Sequence, residues 1–412
     1  MMNKIAQSVS NSRMDYNVNK IMKVDFLKLA KLFSCDIFEY KVVKILLVLL
    51  LLIHGGLGLV QTYFIVYIFN SQQFASYGPF FFGIFFSLGG VAMALFKNDY
   101  ISHISDEMTV WDMDAAGPEI RQRIKKESRV ISIVLAATFL AATAIGSVFV
   151  LPTSVDYDRF FAIKLATDYY PRYSTTLSYL YKLTLPFIAY ATIVPCANFI
   201  YYSHHMRFQL MMLSRHVECL TEQRSKKETD LEELVYDESY QKEFNRRVIF
   251  CIQRHNELIR LGDKKQDEMN FLIGYFALTG CGVGISIILF VIMFSGLLFQ
   301  EKLMLVRITL LSMISGYVFS LLILSGQAME EETDRVSEML FNVDWYLLNP
   351  ANKRTYVIFL INTMVPWRLQ FLQHSINLEL GVNIGKQIYG IGSVLLNLRS
   401  RFISSYNSNS EK

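Results

Sequence analysis

The sequence predicts an all-α membrane protein with seven spanning helices. Of its 412 residues, 52 % are hydrophobic and only 18 % are charged, and the mean hydropathy is +0.30. A soluble protein of this length carries more charge and fewer apolar residues. The net charge is +4, and the basic residues are scattered along the chain, which argues against nucleic acid as a partner. The lipid bilayer is therefore the expected solvent.

The first two predicted spans share one uncharged stretch. No Asp, Glu, Lys or Arg occurs between residues 45 and 96, and a helix needs about 20 apolar residues to cross a bilayer. A segment rich in turn-forming residues, 70–79, divides the stretch into spans 45–69 and 79–97. Four further uncharged runs predict spans at 130–151, 183–203, 269–300 and 308–329.

The seventh predicted span, 376–398, is apolar but carries a polar stripe. Its polar residues recur every three or four positions and therefore fall on one face of a helix. The stripe consists of Glu379, Asn383, Lys386, Gln387, Gly390, Ser393, Val394 and Asn397. Such a face either lines a water-filled pore or lies near the membrane surface and contacts other helices. Only the pore explains why the polarity continues to Asn397.

The distribution of Lys and Arg predicts the orientation of the chain, because short cytoplasmic segments of membrane proteins collect positive charge. Segments on the side of the N-terminus hold 30 of these residues, and segments on the opposite side hold nine. The N-terminus is therefore predicted to be cytoplasmic and the C-terminus extracellular. The predicted organisation is a cytoplasmic segment 1–44, a six-helix bundle 45–329 with a helical cytosolic extension at 204–268, a cytosolic segment 330–375, a pore-lining helix 376–398 and an extracellular tail 399–412.

A helix is also predicted before the first span. Apolar residues recur at helical spacing at Phe26, Leu29, Phe33 and Ile37, a pattern typical of a helix that lies on the inner membrane surface. The alternative is that this helix belongs to a packed cytosolic core.

Aromatic residues concentrate in the predicted outer halves of spans two, three, four and six. An apolar pocket with a few hydrogen-bonding groups is how proteins hold small hydrophobic ligands. The predicted ligand-binding residues are Tyr77, Phe81, Phe82, Phe85, Thr143, Ser147, Phe187, Tyr190 and Tyr317. Aromatic residues at this depth also form interfacial belts or ordinary packing, so this second interpretation stays open.

The sequence contains no enzyme signature. It has no glycine-rich nucleotide loop, no HExxH and no GxSxG. Its five cysteines show neither disulfide nor metal-ligand spacing, and His54 in the first span is interpreted as a satisfied polar group of the core. We therefore expect no catalytic activity, no cofactor and no metal.

Four stretches of the sequence resemble the insect odorant receptor family. Residues 335–347, 353–368 and 371–398 follow the order and spacing of the last inner loop and seventh helix of that family, and 248–263 is similar to its stretch before the fifth span. The length, the seven spans and the cytoplasmic N-terminus also match. The chain departs from the family pattern at 390–397, which reads GIGSVLLN instead of an aromatic-rich ending.

The resemblance implies a variable, odorant-binding subunit of a ligand-gated, non-selective cation channel. Such a subunit binds a small volatile odorant and assembles with a shared odorant co-receptor subunit into a tetramer. It lies in the plasma membrane of a sensory neuron dendrite, and its pore passes monovalent and divalent cations. By position, Val394 matches the hydrophobic gate of the family, Asn397 matches the polar residue one turn beyond it, and 330–375 includes the cytosolic anchor.

Three alternatives remain beside this interpretation. A gustatory receptor channel would share the fold. A G-protein-coupled receptor would place its N-terminus outside, against the charge distribution. A polytopic transporter would contain an internal repeat, and the sequence shows none.

Overall fold

The computed structural model of the protein describes residues 25, 27–96, 116–221, 231–371 and 374–410. Residues 1–24 of the predicted cytoplasmic segment, Phe26 of the predicted surface helix and residues 411–412 of the predicted tail lie outside the described residues.

Twelve α-helices make up most of the described chain. They are α1 (Lys28–Ser34), α2 (Lys41–Tyr67), α3 (Ser71–Phe96), α4 (Pro118–Val148), α5 (Phe161–Tyr169), α6 (Ser174–Leu183), α7 (Leu185–Glu218), α8 (Leu231–Tyr236), α9 (Glu238–Gln300), α10 (Lys302–Phe341), α11 (Pro350–Thr363) and α12 (Leu378–Ser410). Short 3-10 helices occur at Asp36–Glu39, Pro171–Tyr173 and Trp345–Leu347. Two strands of two residues each, β1 (Gln370–Phe371) and β2 (His374–Ser375), pair antiparallel.

The predicted all-α membrane fold is confirmed. Within the described residues, six stretches are long and apolar enough to cross a membrane, and they lie in α2, α3, α4, α6 with α7, α9 and α10. The helix that contains the predicted seventh span, α12, is not among them because its polar stripe lowers its hydropathy. The side of the membrane on which each terminus lies stays a prediction.

The three longest of the described helices extend well beyond what a bilayer requires. α7 has 34 residues, α9 has 63 and α10 has 40, whereas about 20 residues cross the hydrocarbon core. The backbone of α9 departs from helical geometry at Phe294, with φ −113° and ψ 18°. The polar parts of α7 and α9 include most of 204–268, for which a cytosolic extension is predicted.

α7 is the central helix of the bundle and packs against α3, α4 and α10. Glycines allow two of these neighbours to approach its first turns closely. A methyl group added at Gly90 of α3 would lie 2.2 Å from the carbonyl oxygen of Ala191, and one at Gly146 of α4 would lie 2.8 Å from the Cα atom of Pro186. Both approaches are close enough to require glycine, as is common where membrane helices cross.

The N-terminal helix α1 lies against the bundle, in contact with α4 and α7. Tyr190 Oη donates a hydrogen bond of 2.7 Å to the carbonyl oxygen of Phe33, and Tyr201 Oη donates one of 2.7 Å to the carboxylate of Asp25. The outer face of α1 includes Leu29, which is 41 % exposed. The position of α1 relative to the membrane surface stays a prediction.

Candidate functional site

A buried ion cluster joins the loop after α4 to α6 and α10. Asp156 pairs with Lys182 Nζ and, at 3.0 Å, with Arg307 Nη1. The hydroxyl of Thr153 donates to the same carboxylate at 2.6 Å. Burial alone would raise the pKa of Asp156, but the hydrogen bonds from these three residues lower it below its usual value. The cluster therefore holds the end of α4, the end of α6 and the start of α10 together.

Arg159 fixes the same loop to α3 and α9. Its Nη1 donates to Ser76 Oγ at 2.7 Å, and its guanidinium lies over the rings of Phe294 and Phe290, at 4.1 and 4.8 Å from their centroids. Such cation–π contacts strengthen when water is excluded, and Arg159 is buried. The loop from 150 to 160 thus covers the predicted outer end of the bundle.

Four aromatic side chains next to this loop form an aromatic layer, which we define as Phe80, Phe149, Phe160 and Tyr181. The ring of Phe80 lies 4.4 Å from that of Phe160 and 6.0 Å from that of Phe149, and Tyr181 lies 6.1 Å from Phe160. Residues of α3, α4 and α6 and of the covering loop meet here. The ring of His54, on α2, stands 5.3 Å from Tyr181 at the edge of the layer.

The backbone of α3 is uncrowded at Gly83, just after the aromatic layer. No atom lies within 4 Å of a methyl group placed at Gly83, which is one turn after Phe80. One turn further along, the hydroxyls of Ser87 and Thr192 lie 2.7 Å apart and connect α3 to α7. The hydroxyl pair therefore joins α3 to α7 two turns beyond Phe80.

Three of the predicted ligand-binding residues lie together on α3. The ring of Phe81 is 5.2 Å from that of Phe82 and 4.9 Å from that of Phe85. A methyl group at Gly58 of α2 would lie 3.4 Å from Phe85, and one at Gly282 of α9 would lie 2.5 Å from Phe82. The three rings thus fill the contact of α3 with α2 and α9.

Tyr77 and Tyr190 belong to two other groups of aromatic residues. Tyr77 stacks on Phe69 at 5.2 Å and donates to the carbonyl oxygen of Tyr157 at 3.2 Å. Tyr190 lies 4.6 Å from Phe139 of α4 and faces α1. The structure therefore does not gather the predicted tyrosines around one ligand position.

The remaining four predicted ligand-binding residues also lie apart. The hydroxyl of Thr143 donates to the carbonyl oxygen of Phe139 at 2.8 Å, and that of Ser147 donates to Thr143 at 2.9 Å, so both are occupied within α4. Phe187 is 50 % exposed and Tyr317 is 46 % exposed, on the outside of the bundle. Contact with a ligand stays a prediction for all nine residues.

The sequence pattern does not predict the polar contacts that join the helices next to the aromatic layer. Ser87 and Thr192 look like ordinary small residues of a span, and nothing in their spacing predicts that they meet. His54 offered the one usable signal, because it is a titratable residue inside an uncharged stretch. It was interpreted as satisfied, but only its Nε2 has a partner, Thr184 Oγ1 at 2.7 Å, while Nδ1 has none among the described residues.

α12, with the polar stripe, is the most exposed long helix of the bundle. None of its residues from 378 to 397, the part whose side chains the structure describes, is buried. Seven stripe residues are exposed and Ser393 is half-buried. These polar side chains therefore lie on a surface of the single chain.

The start of α12 is fixed to α10. Asn377 Nδ2 donates to Glu330 at 3.1 Å, and Glu330 pairs with Arg368 at 2.9 Å. A methyl group at Gly326 of α10 would lie only 1.9 Å from the carbonyl oxygen of Ile376. A movement of α10 would therefore carry the start of α12 with it.

The family model described as 7tm odorant receptor matches residues 80–389, which is 310 of the 412 residues. The chain belongs to this odorant receptor family. The match begins within α3, at Phe80 of the aromatic layer, and ends within α12. No curated protein matches the chain.

Two solved structures show the same fold as this receptor. The insect olfactory receptor OR5 from Machilis hrabei matches with a TM-score of 0.66 and 11 % sequence identity, covering 90 % of this chain and 97 % of that chain. The structure of the same protein in complex with eugenol matches with a TM-score of 0.64 and 9 % identity, at the same coverage. At these identities the likeness supports the fold alone.

Proposed function

We propose that this receptor is the odorant-binding subunit of a ligand-gated, non-selective cation channel of the plasma membrane, assembled with an odorant co-receptor subunit. The observation that carries the proposal is the exposed polar stripe on α12. Charged and amide side chains in a membrane helix face protein or water rather than lipid. The stripe therefore needs neighbouring subunits around a water-filled pore, which monovalent and divalent cations would cross.

The ligand of the channel is a small volatile odorant, held near the aromatic layer. Apolar and aromatic side chains with a few hydroxyl groups surround this region, as in pockets for small hydrophobic molecules. The related receptor OR5 has been solved with eugenol, which is such a molecule. Of the predicted ligand-binding residues, Phe81, Phe82 and Phe85 lie closest together.

The gate lies near the end of the stripe, at Val394 and Asn397. A ring of apolar side chains can block ions by excluding water from a narrow point, and a ring of Val394 side chains would do so. Odorant binding opens the gate only if the odorant binds the open arrangement of helices more tightly than the closed one. The contacts of Glu330 and Gly326 with the start of α12 supply a path for that bias.

The test is an electrical recording from cells that express the receptor with and without a co-receptor subunit. We expect odorant-evoked cation currents that reverse near zero voltage when both chains are present, and little surface protein or current when either is absent. Currents of the same size from the co-receptor alone would contradict the proposal, as would a response that requires a G protein. Either result would leave the family membership untouched.

A further inference from the structure

The first turns of α4 carry a dense group of basic residues. Five of the nine residues from 121 to 129 are Lys or Arg, and only Glu127 among the nine is acidic. The five are Arg121, Arg123, Lys125, Lys126 and Arg129, and all of them are exposed. The charge distribution of the chain predicts that this end of α4 lies on the cytoplasmic side. A positive surface therefore stands at the inner end of the third span.

Glu127 does not neutralise this whole surface, because its carboxylate is occupied. It pairs with Arg123 Nε at 2.9 Å and with Arg207 Nη1 of α7 at 2.9 Å. The same two arginines approach the carboxylate of Glu332 on α10 at 3.8 and 4.0 Å. This network of charges joins α4 to α7 and α10 on the packed side of the helix.

Lys126 and Arg129 lie away from that packed side. Ile124 and Leu135, which are buried against neighbouring helices, stand about 160° and 180° around the helix from Lys126. Lys126 and Arg129 are exposed, and neither forms an ion pair or a side-chain hydrogen bond with the described residues. Two positive charges on the outward face of α4 are thus left without a partner in this part of the chain.

An apolar row continues along the same face into the span. Its members follow Lys126 at alternating spacings of four and three residues, so they share one side of the helix. We call them the outer row of α4: Val130, Ile133, Ala137 and Leu140, all of them exposed. Arg129 and Leu140 are about 17 Å apart along the helix, and half of a hydrocarbon core is about 15 Å thick. The outer row is therefore about as long as one leaflet.

We propose that this face of α4 binds one anionic phospholipid of the cytoplasmic leaflet, with Lys126 and Arg129 at its phosphate and the outer row along an acyl chain. Clusters of Lys and Arg immediately next to a spanning helix attract anionic lipids, and an Arg guanidinium binds phosphate oxygens in a forked geometry. The outer row supplies contact that a free phosphate ion could not use. This lipid site does not depend on the proposed channel function.

The other predicted inner helix ends offer a weaker match. On α9, Lys264 stands next to Asp263, and the inner end of α10 carries the acidic run 330–334. The start of α2 is the most similar, because Lys41 and Lys44 are exposed and precede an apolar span. It has two basic residues where the start of α4 has five, which makes it a matched control for α4.

The experiment measures lipid binding to the purified full-length receptor in a non-ionic detergent by native mass spectrometry. Dioleoyl phosphatidylserine and dioleoyl phosphatidylcholine serve as probes because they have the same acyl chains and differ in net charge. Glycerophosphoserine, which has the first headgroup without acyl chains, is the third probe. We expect the wild type to bind phosphatidylserine roughly ten-fold more tightly than phosphatidylcholine, and to bind glycerophosphoserine much more weakly than either lipid.

The decisive variant is K126Q/R129Q, which removes both headgroup charges and leaves the outer row intact. Gln is a good helix former, and both positions are exposed. We expect the affinity for phosphatidylserine to fall roughly ten- to thirty-fold, with little change for phosphatidylcholine. K41Q/K44Q removes two charges at the start of α2 and should stay within about two-fold of the wild type. If the double variant of α4 does not fold, K126Q and R129Q alone should each weaken phosphatidylserine binding about five-fold.

Three results would overturn the proposal. Equal losses in K126Q/R129Q and K41Q/K44Q would show that the lipid responds to the overall positive charge of the inner surface. Equal binding of both lipids by the wild type would remove the headgroup contact, and glycerophosphoserine binding as tight as phosphatidylserine binding would remove the acyl contact. If the wild type shows no lipid preference and K126Q/R129Q melts at a lower temperature without lipid, the chain itself covers this face. The segment 99–114, outside the described residues, has five acidic residues that could do so.

Discussion

α7 and α12 are both long helices of the same chain, but their surroundings differ. α7 buries most of its length inside the bundle, including Tyr201, His205 and Phe208. α12 buries none of its residues from 378 to 397, the part whose side chains are described. An exposed apolar helix can meet lipid, but one that carries Glu379 and Lys386 cannot do so along its whole face. Residues of the same chain therefore surround α7. We infer that other subunits cover the exposed surface of α12.

The largest expected effect is on the region that is packed within the chain, at Arg307. In R307A, Asp156 loses one of its two buried cationic partners, and breaking such a network costs about 3–5 kcal/mol. We expect a marked loss of thermal stability of the detergent-solubilised protein, measured as the fraction that remains monodisperse after heating. K302A, an exposed substitution on the same helix, is the control. Equal melting of R307A and wild type would show that the ion cluster does not stabilise this end of the bundle.

The next effect concerns the junction between the two regions, at Gly326. A methyl group there would lie 1.9 Å from the carbonyl oxygen of Ile376, so G326A must displace the start of α12. We expect a loss of about 1–3 kcal/mol of stability and reduced odorant-evoked current per receptor at the cell surface. G316A is the matched control, since no atom lies within 4 Å of a methyl group at Gly316 on the same helix. Similar currents in both variants would mean that α10 does not control α12.

A third prediction compares a half-buried with an exposed member of the predicted ligand-binding residues. Phe85 packs against Phe81 at 4.9 Å, whereas Tyr317 is 46 % exposed. F85A should weaken odorant binding by about 1–3 kcal/mol through lost apolar contact, seen as a shift of the dose–response curve. Y317A should shift the curve less. If Y317A has the larger effect, the ligand lies on the α10 side of the bundle instead.

The smallest expected effect is the pH dependence of the ion cluster. The pKa of Asp156 is lowered below its usual value of 3.8 in the folded protein. Its contribution to stability is therefore fully present above the unfolded value of 3.8 and is lost as the pH falls through the lower, folded pKa. Melting curves of the wild type and D156N should differ by a constant amount from neutral pH down to about pH 5 and converge only at strongly acidic pH. Convergence near neutral pH would contradict the lowered pKa.

The sequence predicted the helices well, because each depends on a continuous local pattern. The uncharged run from 45 to 96 corresponds to α2 and α3, which the structure places at Lys41–Tyr67 and Ser71–Phe96. The turn predicted at 70–79 is wrong in extent, because residues 71–79 belong to α3 and Pro79 lies inside that helix. The clustering of Phe81 with Phe85 also follows from helical spacing, since residues four apart share a face.

The contacts between distant parts of the chain could not be predicted in this way. Asp156 and Arg307 are far apart in the sequence, and no periodicity indicates that they pair. Likewise, the exposure of Phe187 and Tyr317 depends on how each helix is rotated against its neighbours, which packing decides and composition does not. Which ring nitrogen of His54 has a hydrogen-bond partner could not be predicted either, because it depends on the position of Thr184.

The central claim is that α12 lines a pore between subunits, and cysteine accessibility at Val394 tests it most directly. V394C, L395C and L396C would each be expressed with a co-receptor and treated with a water-borne thiol reagent during odorant application, with the wild type as control for native cysteines such as the exposed Cys281. We predict that the reagent irreversibly reduces the current of V394C and leaves the other two nearly unchanged, because successive residues point about 100° apart around the helix. Modification of L395C or L396C without modification of V394C would show that the stripe faces other helices and that the pore lies elsewhere.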